Sequence, residues 1–169
     1  MQSAVAVERP MGERTKMDIL KVKAGIAPSG QVVFERLPFC KKGKHFELLS
    51  SPGMLLGFAK GDVVSFDKEL AEVTLIERAN NLATHVYLSC PVEDVAWLER
   101  KVSKEANGEV DGLTDQQIVI TFPVSKGFRA IEKCLNSTVE QLNALSWHYG
   151  NVYDNEDGVT PLNWWLKDE

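Results

Sequence analysis

The sequence has few of the residues that build metal sites, disulfide frameworks and nucleophilic active sites. Its 169 residues include three cysteines and three histidines. The number of cysteines is odd and no two have CxxC spacing, which favours reduced thiols in a reducing compartment over a disulfide framework. The histidines stand apart, with no HxxxH or HExxH spacing. We therefore predict that the protein holds neither a metal ion nor a cofactor.

Signatures of hydrolases and of phosphate binding are also absent. The sequence contains no GxSxG, no glycine-rich phosphate loop and no closely spaced carboxylates on an obvious catalytic strand. Residues 154–158, DNEDG, partly match a calcium loop, but with the glycine at loop position six the alternate oxygen ligands are missing. We interpret this stretch as an acidic turn and predict that the protein has no catalytic residues and is not an enzyme.

Long apolar runs are missing as well. No stretch reaches the roughly 18 apolar residues that a membrane span needs, and the first sixteen residues contain no apolar stretch of signal-peptide length. The expected location is the cytoplasm. Residues 1–16 mix small, charged, proline and glycine residues without periodicity, which predicts a disordered tail. Met17 is an alternative start, since patterned sequence follows it directly.

The charge that is present is mostly negative and unevenly spread. The formal net charge is −5, and from residue 154 onward five acidic residues accompany a single lysine. A negative surface argues against nucleic acid as a partner. It is compatible with a basic protein partner, because opposite fields steer association. The alternative is a charge that only keeps the protein soluble.

The pattern of apolar residues predicts an α+β fold in two parts. Between residues 17 and 80, short alternating or β-branched stretches separated by turn signals predict an antiparallel curled sheet or small barrel. Gly61-Asp62, between the apolar run 54–59 and the β-branched run 63–66, is interpreted as a turn pair.

In the second part, residues 81–169, strands alternate with two amphipathic helices. The helices are predicted over residues 90–108 and 124–145. Ser137 with Glu140 matches a capping box, which allows a bend in the second helix at Asn136-Ser137. The strand–helix order, with an extra strand near residues 109–113, predicts a ferredoxin-like two-helix α/β sandwich.

The C-terminal 24 residues are rich in aromatic side chains, with three of the four tryptophans and two of the three tyrosines. They either close the core or form a protein-binding surface, since exposed aromatics surrounded by acids are typical of interfaces. Adjacent tryptophans point to opposite sides of an extended chain, so one of the pair is expected to be exposed or packed on a loop. The predicted partner-binding residues are Tyr153, Asp154, Glu156, Asp157, Trp164 and Trp165.

Several stretches resemble a bacterial family of small acidic proteins that carry a GxAxGDVV turn followed by a ferredoxin-like half. They are PF-C at 38–40, LLGFAKGDVVSFD at 55–67, THVYLS at 84–89 and the final WHYGNVYD. The resemblance spans roughly residues 31–153 and leaves out the N-terminal tail and the NWWLKDE end. Some members are similar to immunity proteins, which neutralise antibacterial toxins by binding them. The family pattern includes no catalytic residues, so none is carried over.

The resemblance and the charge together lead to one main hypothesis and one alternative. The main hypothesis is a cytoplasmic immunity protein that binds a basic toxin domain, most plausibly a nuclease, and covers its active site. The alternative is a small-molecule-binding regulatory module, because ferredoxin-like sheets often pair into dimers around a ligand. A neighbouring toxin gene would favour the first, and an apolar pocket at a symmetric dimer interface the second.

Overall fold

A computed structural model describes residues 16–166, and the protein has an α+β fold with two antiparallel sheets and two α-helices. The predicted N-terminal tail, apart from Lys16, lies outside the described residues. The first sheet is five-stranded, and its strands neighbour one another in chain order. They are β1 (Met17–Ile26), β2 (Val32–Lys42), β3 (His45–Leu48), β4 (Val63–Asp67) and β5 (Glu72–Glu77).

This first sheet is neither closed nor strongly curled, so the predicted barrel or curled sheet is wrong. Strands β1 and β5 stand at opposite ends of the sheet order. They approach each other near one point, where the Lys23 amide donates to the Ala71 carbonyl at 2.7 Å. The inner face, with Phe39 and Val64 at its centre, is covered by the side chains of Leu55 and Phe58 from the loop after β3. The loop buries the apolar face, and the sheet does not have to close to do so.

The loop over this face includes the apolar run 54–59, which forms no strand. A carboxylate on β2 holds its beginning: Glu35 accepts hydrogen bonds from the amides of Gly53 (2.8 Å), Met54 (3.0 Å) and Leu55 (2.9 Å). Three amides bound to one side chain are unavailable for a sheet ladder, which explains why an apolar stretch remains a loop.

The loop ends at Gly61-Asp62, which forms the turn that the sequence indicates. Gly61 has a φ of +90°, and its amide donates to the Leu48 carbonyl at 2.7 Å. The Asp62 carboxylate, 1% exposed, accepts from the amides of Ala59 and Ala79, both at 2.9 Å. Burial raises the pKa of Asp62, while these amide bonds and Arg78 oppose the rise. The pair therefore turns the chain into β4 and ties that turn to the segment after β5.

The second sheet is four-stranded, with the order β7-β8-β6-β9 and all neighbours antiparallel. The element order of this half is β-α-β-β-α-β, and the extra strand expected near residues 109–113 is present. The elements are β6 (Asn81–Tyr87), α1 (Val95–Ala106), β7 (Glu109–Leu113), β8 (Gln117–Pro123), α2 (Phe128–Leu142) and β9 (Ser146–Tyr149).

Both helices are shorter than the patterns predicted. Helix α1 begins after Asp94, whose side chain accepts from the Trp97 amide, and ends at Asn107 in the left-handed conformation. Helix α2 begins after Gly127 and continues without interruption through Asn136-Ser137, so no new helix starts at Ser137. The Ser137 hydroxyl instead accepts from Lys101 Nζ at 2.7 Å, which links the two helices.

The helices cover one face of the second sheet, and the other face packs on the first half of the chain. Leu98, Ile131 and Phe122 are fully buried on the helix side. On the opposite side His85 Nε2 donates to the Pro52 carbonyl at 2.8 Å, and burial lowers the pKa of His85. No helix between residues 16 and 166 is both long and apolar enough to cross a membrane.

Candidate functional site

The predicted acidic stretch forms a turn between two short extended segments. Tyr153 pairs with Pro161 in an antiparallel bridge, and the Asp154 amide donates to the Thr160 carbonyl at 2.8 Å. Asp154 Oδ1 accepts from the Glu156 amide at 2.8 Å. We call residues 154–158 the acidic turn. Its carboxylates are partly or fully exposed, and Asp154 also supports the backbone.

Asp157 is bound to the turn even more closely. Its Oδ1 accepts from the amides of Val159 (2.8 Å) and Thr160 (2.9 Å), and the Thr160 hydroxyl donates to Oδ2. The bond from the Thr160 hydroxyl, followed by the two amide bonds, lowers the pKa of Asp157. Glu156 is exposed on the same turn, so the three predicted acids lie together.

Trp164 and Trp165 both pack on the protein itself. The chain turns at these residues, so both indoles reach the core instead of pointing to opposite sides as in extended chain. Trp164 Nε1 donates to the Asn151 carbonyl at 2.8 Å, and the Arg78 guanidinium lies 5.0 Å from its ring centroid. Trp165 contacts Phe128 edge to face at 5.1 Å. Each remains partly exposed, and so offers only part of its ring to a partner.

An aromatic cluster centred on Tyr149 joins β9, α2 and the segment that follows β9. Tyr149 lies 4.9 Å from Trp147, 5.7 Å from Phe128 and 6.5 Å from Tyr153, measured between ring centroids. Tyr153 is the most open member, with 39% of its surface exposed. The cluster places rigid aromatic surface directly beside the acidic turn.

The Tyr149 hydroxyl is buried and has no hydrogen-bond partner among residues 16–166. Burial raises the pKa of Tyr149, and the nearby Glu132 carboxylate raises it further, although the two groups do not reach hydrogen-bonding geometry. A buried hydroxyl without a partner is costly.

Tyr149 also lines a groove of about 330 Å³ that runs beside β9. We call it the β9 groove. Of the predicted partner-binding residues, Tyr153 and Asp154 line it, Glu156 and Asp157 lie next to it on the acidic turn, and Trp164 and Trp165 do not line it. Its lining residues are Leu56, Glu132, Trp147, His148, Tyr149, Gly150, Tyr153, Asp154, Asn155 and Gly158.

The acidic turn is fastened to the first half of the chain near this groove. The Gly57 amide donates to the Gly150 carbonyl at 2.8 Å, and Asn155 Nδ2 donates to the Leu56 carbonyl at 3.3 Å. Arg78 donates to the Gly57 carbonyl at 3.1 Å. Segments from four parts of the sequence therefore meet here, which favours a site with a fixed shape.

The sequence pattern did not identify Glu132, Tyr149 or Leu56 as site residues. Glu132 follows Ile131 of the apolar stripe on α2, so helical phase could have placed it at the border of that stripe. No local signal places it beside a tyrosine seventeen positions later. Among residues 16–166, no group of three or more His, Cys, Asp or Glu residues could hold a metal ion.

Comparison with solved structures finds a shared fold. A hypothetical protein from Neisseria gonorrhoeae, known from a crystal structure, is 16% identical, with a TM-score of 0.62 over 82% of this chain and 96% of that chain. No curated protein matches this sequence. The family described as "Domain of unknown function (DUF4265)" matches residues 35–147. These residues are most of the chain and contain β3 to α2 entire, and the chain belongs to the DUF4265 family.

Proposed function

We propose that this protein is an immunity protein that binds a basic toxin domain, most plausibly a nuclease, and covers its active site. The observation that supports it best is the position of the acidic turn beside a groove lined by aromatic rings and by two carboxylates, Glu132 and Asp154. The proposed contact surface consists of the acidic turn, the β9 groove and the exposed parts of Trp164 and Trp165.

Charge has a defined role in this proposal. Asp154, Glu156 and Asp157 concentrate negative charge on one turn. A nuclease domain has a basic surface for phosphates, which such a turn would attract. Opposite charges mainly raise the association rate, and salt weakens their effect.

The aromatic rings would contribute to binding as anchors whose side chains are already ordered in the free protein. Trp164 is fixed by its bond to Asn151 and by Arg78, so little side-chain freedom remains to be lost on binding. Tyr153 stands in the groove with a large exposed ring. Truncating an aromatic anchor at the centre of an interface typically costs about 2 kcal/mol or more, mostly through faster dissociation.

The test is the rate of association with a purified basic toxin domain encoded beside this gene, using D154N/E156Q/D157N. Asparagine keeps the oxygen that accepts the turn's amide bonds, so the charge is removed and the turn is retained. The matched control is E69Q/E77Q/E99Q, which removes three exposed acids elsewhere. We expect slower association at low salt for the first variant only. Equal rates for both variants would exclude the acidic turn, and the absence of any complex would exclude the immunity function.

One observation favours the alternative of a small-molecule-binding regulatory module. The β9 groove, about 330 Å³, reaches the lower size range of ligand sites, which begins at roughly 300 Å³. Mass spectrometry of small molecules released from the purified protein, with light scattering for its oligomeric state, tests this. A stoichiometric ligand in a dimer would favour the module over the immunity protein.

A further inference from the structure

Strand β9 is an open edge of the second sheet. It pairs with β6 on one side, and no other strand of the described residues pairs with it. The opposite edge strand, β7, is interrupted by a register shift between Val110 and Gly112, and Lys60 forms ion pairs with its Glu109 and Asp111. Bulges and charges of this kind protect edges from further pairing. The sequence of β9, SWHY, has no proline or lysine, and its pairing with β6 has no register shift.

The register shows which backbone groups face outward. Tyr149 pairs with Thr84, and the Gly150 amide donates to the Ala83 carbonyl at 2.7 Å. In an antiparallel ladder, residues alternate between those bonded to the neighbour and those whose N–H and C=O point away. His148 is therefore bonded to β6, and the backbone groups of Trp147 and Tyr149 point to the open edge. No hydrogen bond to these groups is present in residues 16–166.

The β9 groove lies along this open edge, and its negative charge would select a positively charged occupant. It is bordered by α2 on one side and by the segment after β9 on the other, which provide Glu132 and Asp154. No lysine or arginine of the described residues lines it. A second copy of the chain, paired edge to edge through β9, would bring these carboxylates near their own equivalents, so charge disfavours it. A basic segment is complementary.

We propose that an extended, basic segment of the partner protein adds to β9 as a further strand. Its backbone bonds the outward groups of Trp147 and Tyr149, and a lysine or arginine side chain lies between Glu132 and Asp154. Strand addition to an open edge is an established mode of peptide recognition, in which backbone bonds provide affinity and side-chain pockets provide specificity. This inference rests on the proposed function, because it assumes a basic protein partner.

The experiment measures amide hydrogen exchange by NMR with a short synthetic peptide of alternating lysine and valine. We expect the amides of Trp147 and Tyr149 to become protected by roughly tenfold or more, as newly bonded amides do. The amide of His148 is already bonded to β6 and serves as an internal control. Peptides with glutamate in place of lysine, or with N-methylated backbone, should give no protection.

Variants test the charge contribution. Glu132→Gln and Asp154→Asn should each weaken binding of the lysine peptide by roughly two- to fivefold, the range for exposed ion pairs. Glu140→Gln, an exposed acid on the same helix and outside the groove, should have no effect. Equal binding of the lysine and glutamate peptides would overturn the charge selection.

The same exchange measurement with the toxin domain separates this inference from the proposed function. Toxin binding that leaves the Trp147 and Tyr149 amides unprotected overturns strand addition and leaves the immunity function standing. Protection by the lysine peptide without any toxin binding supports the edge site and removes the immunity function. Protection already present in the free protein, together with a dimeric mass, shows that a second copy occupies the edge and overturns the inference.

Discussion

Replacing Gly61 by alanine is expected to destabilise the protein through two separable effects. Gly61 has a φ of +90°, a conformation that residues with a Cβ atom rarely adopt. An added Cβ would also lie 2.6 Å from the Cβ of Ala79. The turn cannot easily shift away, because the Gly61 amide is bonded to Leu48 and the adjacent Asp62 carboxylate is bonded to Ala79.

The backbone strain and the close contact each have an expected cost. The backbone strain of an L-residue at positive φ costs about 1–2 kcal/mol. Carbon atoms prefer a separation of about 3.5–4.0 Å, so the contact with Ala79 requires a displacement of roughly 1 Å in a packed region. Such overpacking costs about 1–3 kcal/mol. The expected loss is therefore about 2–5 kcal/mol, a large part of the roughly 5–15 kcal/mol that typically stabilises a domain.

Urea denaturation followed by tryptophan fluorescence measures the loss, and Gly30→Ala is the matched control. Gly30 has a similar φ of +86°, but no atom lies within 4 Å of its added Cβ. The control should therefore lose only the strain contribution. Ala79→Gly combined with Gly61→Ala should recover the packing contribution. Equal losses at Gly61 and Gly30 would refute the close approach to Ala79, and no loss at Gly61 would refute the turn.

Three further outcomes are expected. Tyr149→Phe removes a buried hydroxyl that lacks a partner, so it should raise the free energy of unfolding by up to about 1–3 kcal/mol, measured by urea denaturation; a destabilised variant would show that the hydroxyl is satisfied. Burial lowers the pKa of His85, so the unfolded state binds more protons than the folded state, and the free energy of unfolding should decrease as pH falls through the ordinary His pKa of 6.5. Unfolding curves at a series of pH values should show a smaller decrease for His85→Asn than for wild type. An unchanged decrease would assign the pH dependence to other groups. For D154N/E156Q/D157N, the salt dependence of the association rate with the toxin domain should become shallower than for wild type; an unchanged salt dependence would place the steering charges elsewhere.

Local patterns identified most elements because they depend on neighbouring residues. The strand at Glu72–Glu77 follows from alternation, and the end of α1 follows from Asn107, which adopts the left-handed conformation. The turn at Gly61-Asp62 follows from a glycine that accepts positive φ. Each of these features depends on backbone preferences within a few residues, which the sequence states directly.

Long-range contacts decided the features that the patterns predicted wrongly or left open. The patterns predict a curled sheet or small barrel, but Glu35 binds three loop amides and the loop covers the sheet face, a contact across some twenty positions. The capping box of Ser137 with Glu140 is typical of a helix start, but α2 is continuous there, and Lys101 from the other helix binds the Ser137 hydroxyl. Local propensity is weak, about 1 kcal/mol or less per residue, and tertiary contacts of this kind outweigh it.

The candidate site also has features that follow from the sequence and features that depend on the tertiary structure. The sequence by itself determined that acids and aromatic residues are concentrated near the C-terminus, because composition needs no fold. Only the tertiary structure decided that Tyr153 and Asp154 face Glu132 and Leu56 across a groove, and that Tyr149 lies buried without a hydrogen-bond partner. The physical reason is that the end of a sheet, the phase of a helix and the path of a distant loop must all be known before these side chains can be placed together.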